Sequence, residues 1–163
     1  TLFARTRDCA SWVGKLLREG GLRKLYSAVV SPIPSERAWT TEGYITRAEH
    51  PRHSFFRLTH ERGESGKHSR SDFVCVEAQD QQAWVEARPQ TGRTHQLRAH
   101  MELLGTPIAG DRKYKQTDWP AIGGLARGLH LLAREIRVGK VTVTAPLPPH
   151  MKETWERLGL VEG

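Results

Sequence analysis

Apolar positions recur along the chain with two periods, one helical and one extended, separated by clusters of glycine, proline and polar residues. Trp12, Val13, Leu16 and Leu17 form a stripe that predicts a helix over residues 9–19. Asp8 stands where a capping side chain belongs, and Gly20-Gly21 where the helix should stop. Leu22 to Val30, LRKLYSAVV, is rich in β-branched and aromatic residues and predicts a strand, ended by Ser31-Pro32-Ile33-Pro34. Tyr44-Ile45 and Ser54 to Thr59 are short strand candidates, and the polar run HERGESGKHSR, His60 to Arg70, reads as an exposed loop. Phe73 to Glu77 and Ala83 to Arg88 predict a hairpin across Gln79 to Gln82. Residues 95–104 predict a helix with Leu97, Met101 and Leu104 on one face, closed by Gly105 and Pro107. Leu129 to Val138 and Lys140 to Thr144 predict a second hairpin around Gly139. Pro148-Pro149 then opens a last helix carrying Met151, Trp155 and Leu158. Strands and helices mixed without strict alternation indicate an α+β fold with a mixed, largely antiparallel sheet and flanking helices. The apolar opening Thr1-Leu2-Phe3-Ala4 resembles the tail of a strand already under way.

Composition narrows the function. A chain of 163 residues with 37% hydrophobic content and five tryptophans suits one domain, able to bury roughly 70% of its unfolded surface. No apolar run is long enough to span a bilayer. Cys9 and Cys75 are the only cysteines, too few for a disulfide framework or a four-cysteine zinc site, so a reducing, cytoplasmic setting is expected. The formal charge of +7 favours an acidic partner, nucleic acid being the commonest. Arginine, with its planar fork, tilts that expectation towards RNA. No membrane partner is expected, and a monomer is.

Several chemistries have no motif here. Glycine-rich phosphate loops, His-Glu-x-x-His and Gly-x-Ser-x-Gly are missing from the sequence. His95 and His100 would diverge by roughly 140° on a helix, which does not suit a shared metal. What remains is the donor-rich stretch RPQTGRTHQLRAH, Arg88 to His100, leading from a strand through Thr91-Gly92 into a helix start. Free N–H groups at that helix start would favour an anion. Arg98 lies one turn before Glu102, so a helix-surface ion pair is the plainer reading of its spacing.

The segment TGRTHQLRAHMELLGTPIAGDRKY, Thr91 to Tyr114, closely resembles the third motif of the RluA-type RNA pseudouridine synthases and its continuation. Arg23-Lys24-Leu25-Tyr26-Ser27-Ala28 resembles the family's Lys-x-Tyr-x-Ala strand, and Gly66 to Ser71 its glycine-lysine segment. Leu129 to Ala133 and Val143 to Met151 resemble its closing strands and last helix entry. The resemblance implies an isomerase that everts a uridine of ribosomal or transfer RNA, breaks the bond from C1′ to N1 and rejoins the base through C5, with no cofactor or metal. It implies that Arg98 pairs with a catalytic aspartate and that Leu97 packs on the everted base. Tyr26, beside Lys24, would stack on that base and assist loss of the C5 proton. Arg93, His95, Lys67 and Arg70 become candidate phosphate contacts, with a solvated surface role equally open to each. The family's aspartate motif, resembling His-Arg-Leu-Asp, should precede Leu2, so residues 1–163 are expected to be the C-terminal portion of such a catalytic domain, incomplete at the N-terminus and inactive alone. Asp8, Asp72, Asp80, Asp111 and Asp118 are not expected to substitute. The alternative is a non-catalytic RNA-binding or ribosome-associated protein on the same scaffold.

Overall fold

The computed structural model describes residues 4–50, 53–63, 65–114, 125 and 127–160. Phe3 and the residues before it, and Asp118, lie outside the described residues. Helix α1, Arg7–Arg18, starts two residues earlier than the Asp8 cap predicts. Thr6 is the cap instead, its Oγ1 accepting the N–H of Cys9 at 3.2 Å, and Asp8 sits in the first turn, where its charge favours the dipole. The predicted apolar stripe is only partly covered: Trp12 remains 54% exposed.

Strand β1, Leu22–Val30, matches its prediction. Strands β2, Ala38–His50, and β3, His53–Thr59, form a far longer hairpin than the two short candidates. The buried face of β2 is carried by Thr41, Gly43 and Ile45, so the alternation is real but mostly not apolar. Gly43 is needed for space, since a Cβ there would lie 2.6 Å from the carbonyl oxygen of Thr59. Strand β4, Lys67–Gln79, begins inside the stretch expected to be loop, because Ser69 and Ser71 bury on one face ahead of Phe73. Strand β5, Gln82–Pro89, follows through a two-residue turn in which Asp80 (φ 50) and Gln81 (φ 65) are both left-handed. That is the hairpin geometry matching strand twist.

Helix α2, Gln96–Leu103, is entered through His95 at φ 55. Leu97 and Met101 face inward as predicted, whereas Leu104 is the exposed cap residue; Gln96, Ala99 and His100 complete the buried face. Strand β6, Leu131–Val138, and the edge strand β7, Val141–Thr144, precede helix α3, Pro149–Arg157. Sheet order is β3-β2-β4-β5-β1-β6-β7. Every pairing between these strands is antiparallel, and the α+β fold with a largely antiparallel sheet and flanking helices expected from the sequence is found. On one face Ala28, Val30, Phe73, Val85 and Ala87 pack with Leu97 and Met101 of α2. On the other, Val29 and Trp84 pack with Met151 and Leu158, and Trp84 meets Trp155 edge-on at 4.5 Å. None of these helices is long and apolar enough to cross a membrane.

His100 joins α2 to the sheet. It is wholly buried, its Nε2 lies 3.0 Å from Ser69 Oγ, and Nδ1 finds no partner among the described residues. Burial lowers its pKa from 6.5 to about 4. Between those values the unfolded chain takes up a proton that the fold refuses, so stability falls as pH falls through this window. Acidifying from neutrality to pH 4 is expected to remove about 3 kcal/mol on this account. Urea unfolding across that range should show the loss shrink in His100→Asn, which has no such proton to bind.

Candidate nucleotide-binding cleft

The core built on α2 leaves one flank of β1 uncovered beyond the point where the helix begins. Here a cleft of about 230 Å³ opens between Lys24 and Tyr26 on β1, Leu131 on β6 and the run Pro89 to Arg98. Lys24 and Tyr26 share a face because side chains alternate along a strand. The pairing of β1 with β6 slips between Leu25 and Tyr26. The extra residue there is Arg134 of β6, so the bulge bends β6 and leaves the alternation along β1 intact. Burial raises the pKa of Tyr26, so its phenol keeps its proton at neutral pH.

The loop opposite is held by a residue that periodicity does not reveal. The Gln96 amide is buried, and all its hydrogen-bonding positions are occupied. Its Oε1 accepts the Thr91 hydroxyl at 2.7 Å and the Arg93 N–H at 3.0 Å, and its Nε2 donates to Arg70 O and Ser71 Oγ, both at 2.9 Å. Thr91 Oγ1 in turn accepts the N–H of Arg70 at 3.0 Å. Gln96 therefore ties the loop 91–93 to β4. The one signal of this in the sequence is its position one turn before His100, on the same inward face.

Arg98 sits in a different pairing from either one the sequence suggests. Its Nε and Nη2 donate to Oδ2 and Oδ1 of Asp111, each at 2.6 Å, in a bidentate fork. Asp111 is 1% exposed and Arg98 15%. Asp111 Oδ1 also accepts the N–H groups of Lys113 and Tyr114, at 3.0 and 3.3 Å. Both oxygens of this carboxylate are thus engaged, by the guanidinium fork and by two backbone N–H groups. Nη1 of Arg98 carries no hydrogen bond among the described residues.

The other expected residues divide. Arg93 lines the cleft and donates from Nε to His68 O at 2.8 Å. Leu97 both lines the cleft and belongs to the core. His95 also lines it, with a pKa lowered first by burial and then by Arg98 and Lys113, so it meets a ligand at neutral pH as an uncharged ring rather than as a cation for phosphate. Lys67 and Arg70 do not line the cleft. They lie on β4, where Arg70 is half-exposed and reaches Glu42 at 3.5 Å, and Glu42 also meets His68 at 2.7 Å. Arg70 serves the cleft through its backbone, which the sequence could not show. No group of three or more His, Cys, Asp or Glu among the described residues is placed to hold a metal ion.

A cleft with a basic rim, an apolar floor and a tyrosine suits a planar base attached to a phosphate chain, and comparison with known proteins points the same way. Residues 1–103 match the family model described as RNA pseudouridylate synthase. An uncharacterised RNA pseudouridine synthase of Bacillus subtilis (strain 168) is 35% identical over 150 residues, covering 91% of this chain and 48% of its own length. The ribosomal large subunit pseudouridine synthase D of Borreliella burgdorferi is 32% identical over 139 residues, covering 85% and 41%. The chain thus spans about half the length of these relatives. Among solved structures, human RNA pseudouridylate synthase domain containing 1 superposes with a TM-score of 0.72 at 28% identity, covering 89% of this chain and 62% of its own. Human RNA pseudouridylate synthase domain containing 4 shares the fold, with a TM-score of 0.73 at 22% identity over 96% and 70%. Motif, sheet and cleft agree with these matches, and the chain belongs to the RNA pseudouridylate synthase family, in its RluA-type branch.

Proposed function

We propose that the cleft receives one everted uridine of RNA, and that the polypeptide to which these residues belong isomerises it to pseudouridine in ribosomal or transfer RNA. The observation that carries this is the meeting of Lys24, Tyr26, Leu97 and Arg98 around one small cavity, from two segments far apart in sequence. Eversion exposes both faces of the base, and an apolar contact from Leu97 with a ring contact from Tyr26 replaces the lost stacking. Breaking the bond from C1′ to N1 and rejoining through C5 turns the base in place, with C5 losing its proton and N1 taking one up. Tyr26 meets the base as a neutral phenol, so any part in removing that proton requires it to pass its own proton on. Arg93 and Lys24, on the rim, suit the flanking phosphates.

On this proposal residues 1–163 are the C-terminal portion of a catalytic domain, and the nucleophilic aspartate comes from a segment preceding them. Asp111 already balances most of the Arg98 charge, so Nη1 is the position left for that second carboxylate. No cofactor or metal is required, and the protein acts as a monomer in the cytoplasm. The test is release of tritium from RNA carrying 5-tritiated uridine. The 163-residue chain is expected to bind RNA and release none, and the chain joined to a preceding His-Arg-Leu-Asp-like segment to release it. Release by the 163 residues alone would overturn the assignment of the nucleophile. RNA binding without release in the longer polypeptide would favour a non-catalytic RNA-binding protein.

A further inference from the structure

Tyr114 contributes nothing to the chemistry above, yet it touches two walls of the cleft at once. It is buried with Ile45, Leu58 and Ala99, in a small cluster beneath the start of α2. Its hydroxyl oxygen accepts the backbone N–H of Phe56 at 2.9 Å and lies 3.1 Å from Nδ1 of His95. Its ring lies under Arg98, with the guanidinium carbon 4.8 Å from the ring centroid. The His95 ring stands edge-on to Tyr114 at 5.6 Å and to Phe56 at 5.6 Å, so an aromatic flanks the imidazole on either side. A left-handed backbone at His95, φ 55, turns the side chain into this slot. The hydroxyl oxygen already accepts from Phe56, and Nδ1 of the His95 imidazole lies at hydrogen-bonding distance as an acceptor for its proton.

We infer that Tyr114 is a positioning residue of the cleft: its hydroxyl donates to Nδ1 of His95, leaving the imidazole proton on Nε2 as a neutral donor at the cleft wall, while its ring holds the Arg98 guanidinium in the Asp111 fork. The inference rests on the cleft being the nucleotide site. One side chain then sets the tautomer of one wall and the plane of another. The charges facing His95 agree: Arg98 and Lys113 join burial in keeping the ring unprotonated, and Asp111 alone among the charged neighbours opposes them. His95 thereby addresses an oxygen of the everted nucleotide, a carbonyl or hydroxyl, by hydrogen bonding without charge.

The nitrogen-15 spectrum of the His95 imidazole, assigned by its loss in His95→Gln, tests the arrangement without any need for a Tyr114 variant to fold. At neutral pH the chain is expected to show a single tautomer protonated on Nε2. A ring protonated on Nδ1 overturns the inference. In Tyr114→Phe the spectrum is expected to move to mixed tautomers, and the His95 midpoint to rise towards an ordinary imidazole; an unchanged spectrum also overturns it. Binding to a uridine-containing single-stranded RNA separates this from the reading of the cleft itself. His95→Gln and Tyr114→Phe are each expected to weaken binding about threefold to tenfold at an unchanged salt slope. Arg93→Ala is expected to reduce that slope by about one. A reduced slope in His95→Gln overturns the neutral role. Should the Nε2 tautomer be found while no cleft variant, Arg98→Ala included, alters RNA affinity, the nucleotide reading fails and the Tyr114–His95 hydrogen bond stands.

Discussion

Arg98→Ala is expected to lower the stability of the domain by about 3–5 kcal/mol, because it strands a carboxylate that has nowhere to go. The two partners are not equivalent. Arg98 retains 15% exposure, and a long flexible side chain can swing outward into water, whereas Asp111 is 1% exposed and held by the N–H groups of Lys113 and Tyr114. Asp111→Asn, which keeps an oxygen for those N–H groups, is therefore expected to cost less than Arg98→Ala. Replacing both partners by apolar residues of similar volume, Arg98→Met with Asp111→Leu, should recover much of the loss, since the desolvation of two ions disappears together with their attraction. Urea unfolding of the four proteins checks this, with the midpoints shifting at constant m. The double variant carries the functional content of the experiment. Folded but without the guanidinium, it should bind RNA and, in the longer polypeptide, fail to release tritium. Near-normal turnover in that variant would remove Arg98 from the proposed chemistry.

How far this pair was legible depends on distance along the chain. The sequence around Arg98 shows a cation one turn from Glu102, and local spacing points there; the partner found is Asp111, brought close only by the reversal at Gly105 and the crossing segment 108–110. By contrast β1 and α3 were legible, as Val29 and Val30 of β1 and Met151 of α3 bury apolar side chains beside Ser27 and Thr154, and their ends are marked by glycine or proline. Strand β2 and the first half of β4 were not. Their inward positions hold Thr41, Gly43, Ser69 and Ser71, small polar residues that let α2 and the crossing strands approach closely, and a hydrophobic alternation cannot register them. The same cause hid Gln96 and His100, polar side chains buried because the fold satisfies them or keeps them neutral. Six of the expected site residues do converge on one cleft. That agreement came from the ordered motif, because spacing alone left Arg98 with Glu102 and gave Tyr26 no partner.

The position of Asp111 depends on Gly110, and Gly110→Ala is expected to destabilise the domain by roughly 3–5 kcal/mol, combining left-handed strain with a backbone overlap. Gly110 has φ +74, and a Cβ there would lie 1.7 Å from the carbonyl oxygen of Gly128 and 2.7 Å from its carbon. Neither side can give way cheaply. Ala109 donates its N–H to Val29 O at 2.8 Å and accepts that of His130 at 2.9 Å, and the N–H of Asp111 reaches Ile108 O at 3.1 Å. Gly128 is itself pressed towards the ring of His150, where a Cβ would meet Cδ2 at 3.1 Å. Gly20→Ala separates strain from overlap: its φ is +72, but a Cβ would find nothing within 4 Å, so only the conformational cost of about 1–2 kcal/mol applies. Side-by-side urea unfolding should therefore place Gly110→Ala well below Gly20→Ala. Any backbone shift that relieves the overlap must move Asp111 as well, so RNA affinity is expected to fall in Gly110→Ala and to hold in Gly20→Ala. Equal midpoints for the two variants would mean that the segment 108–110 is not the fixed frame on which the Arg98 fork is built.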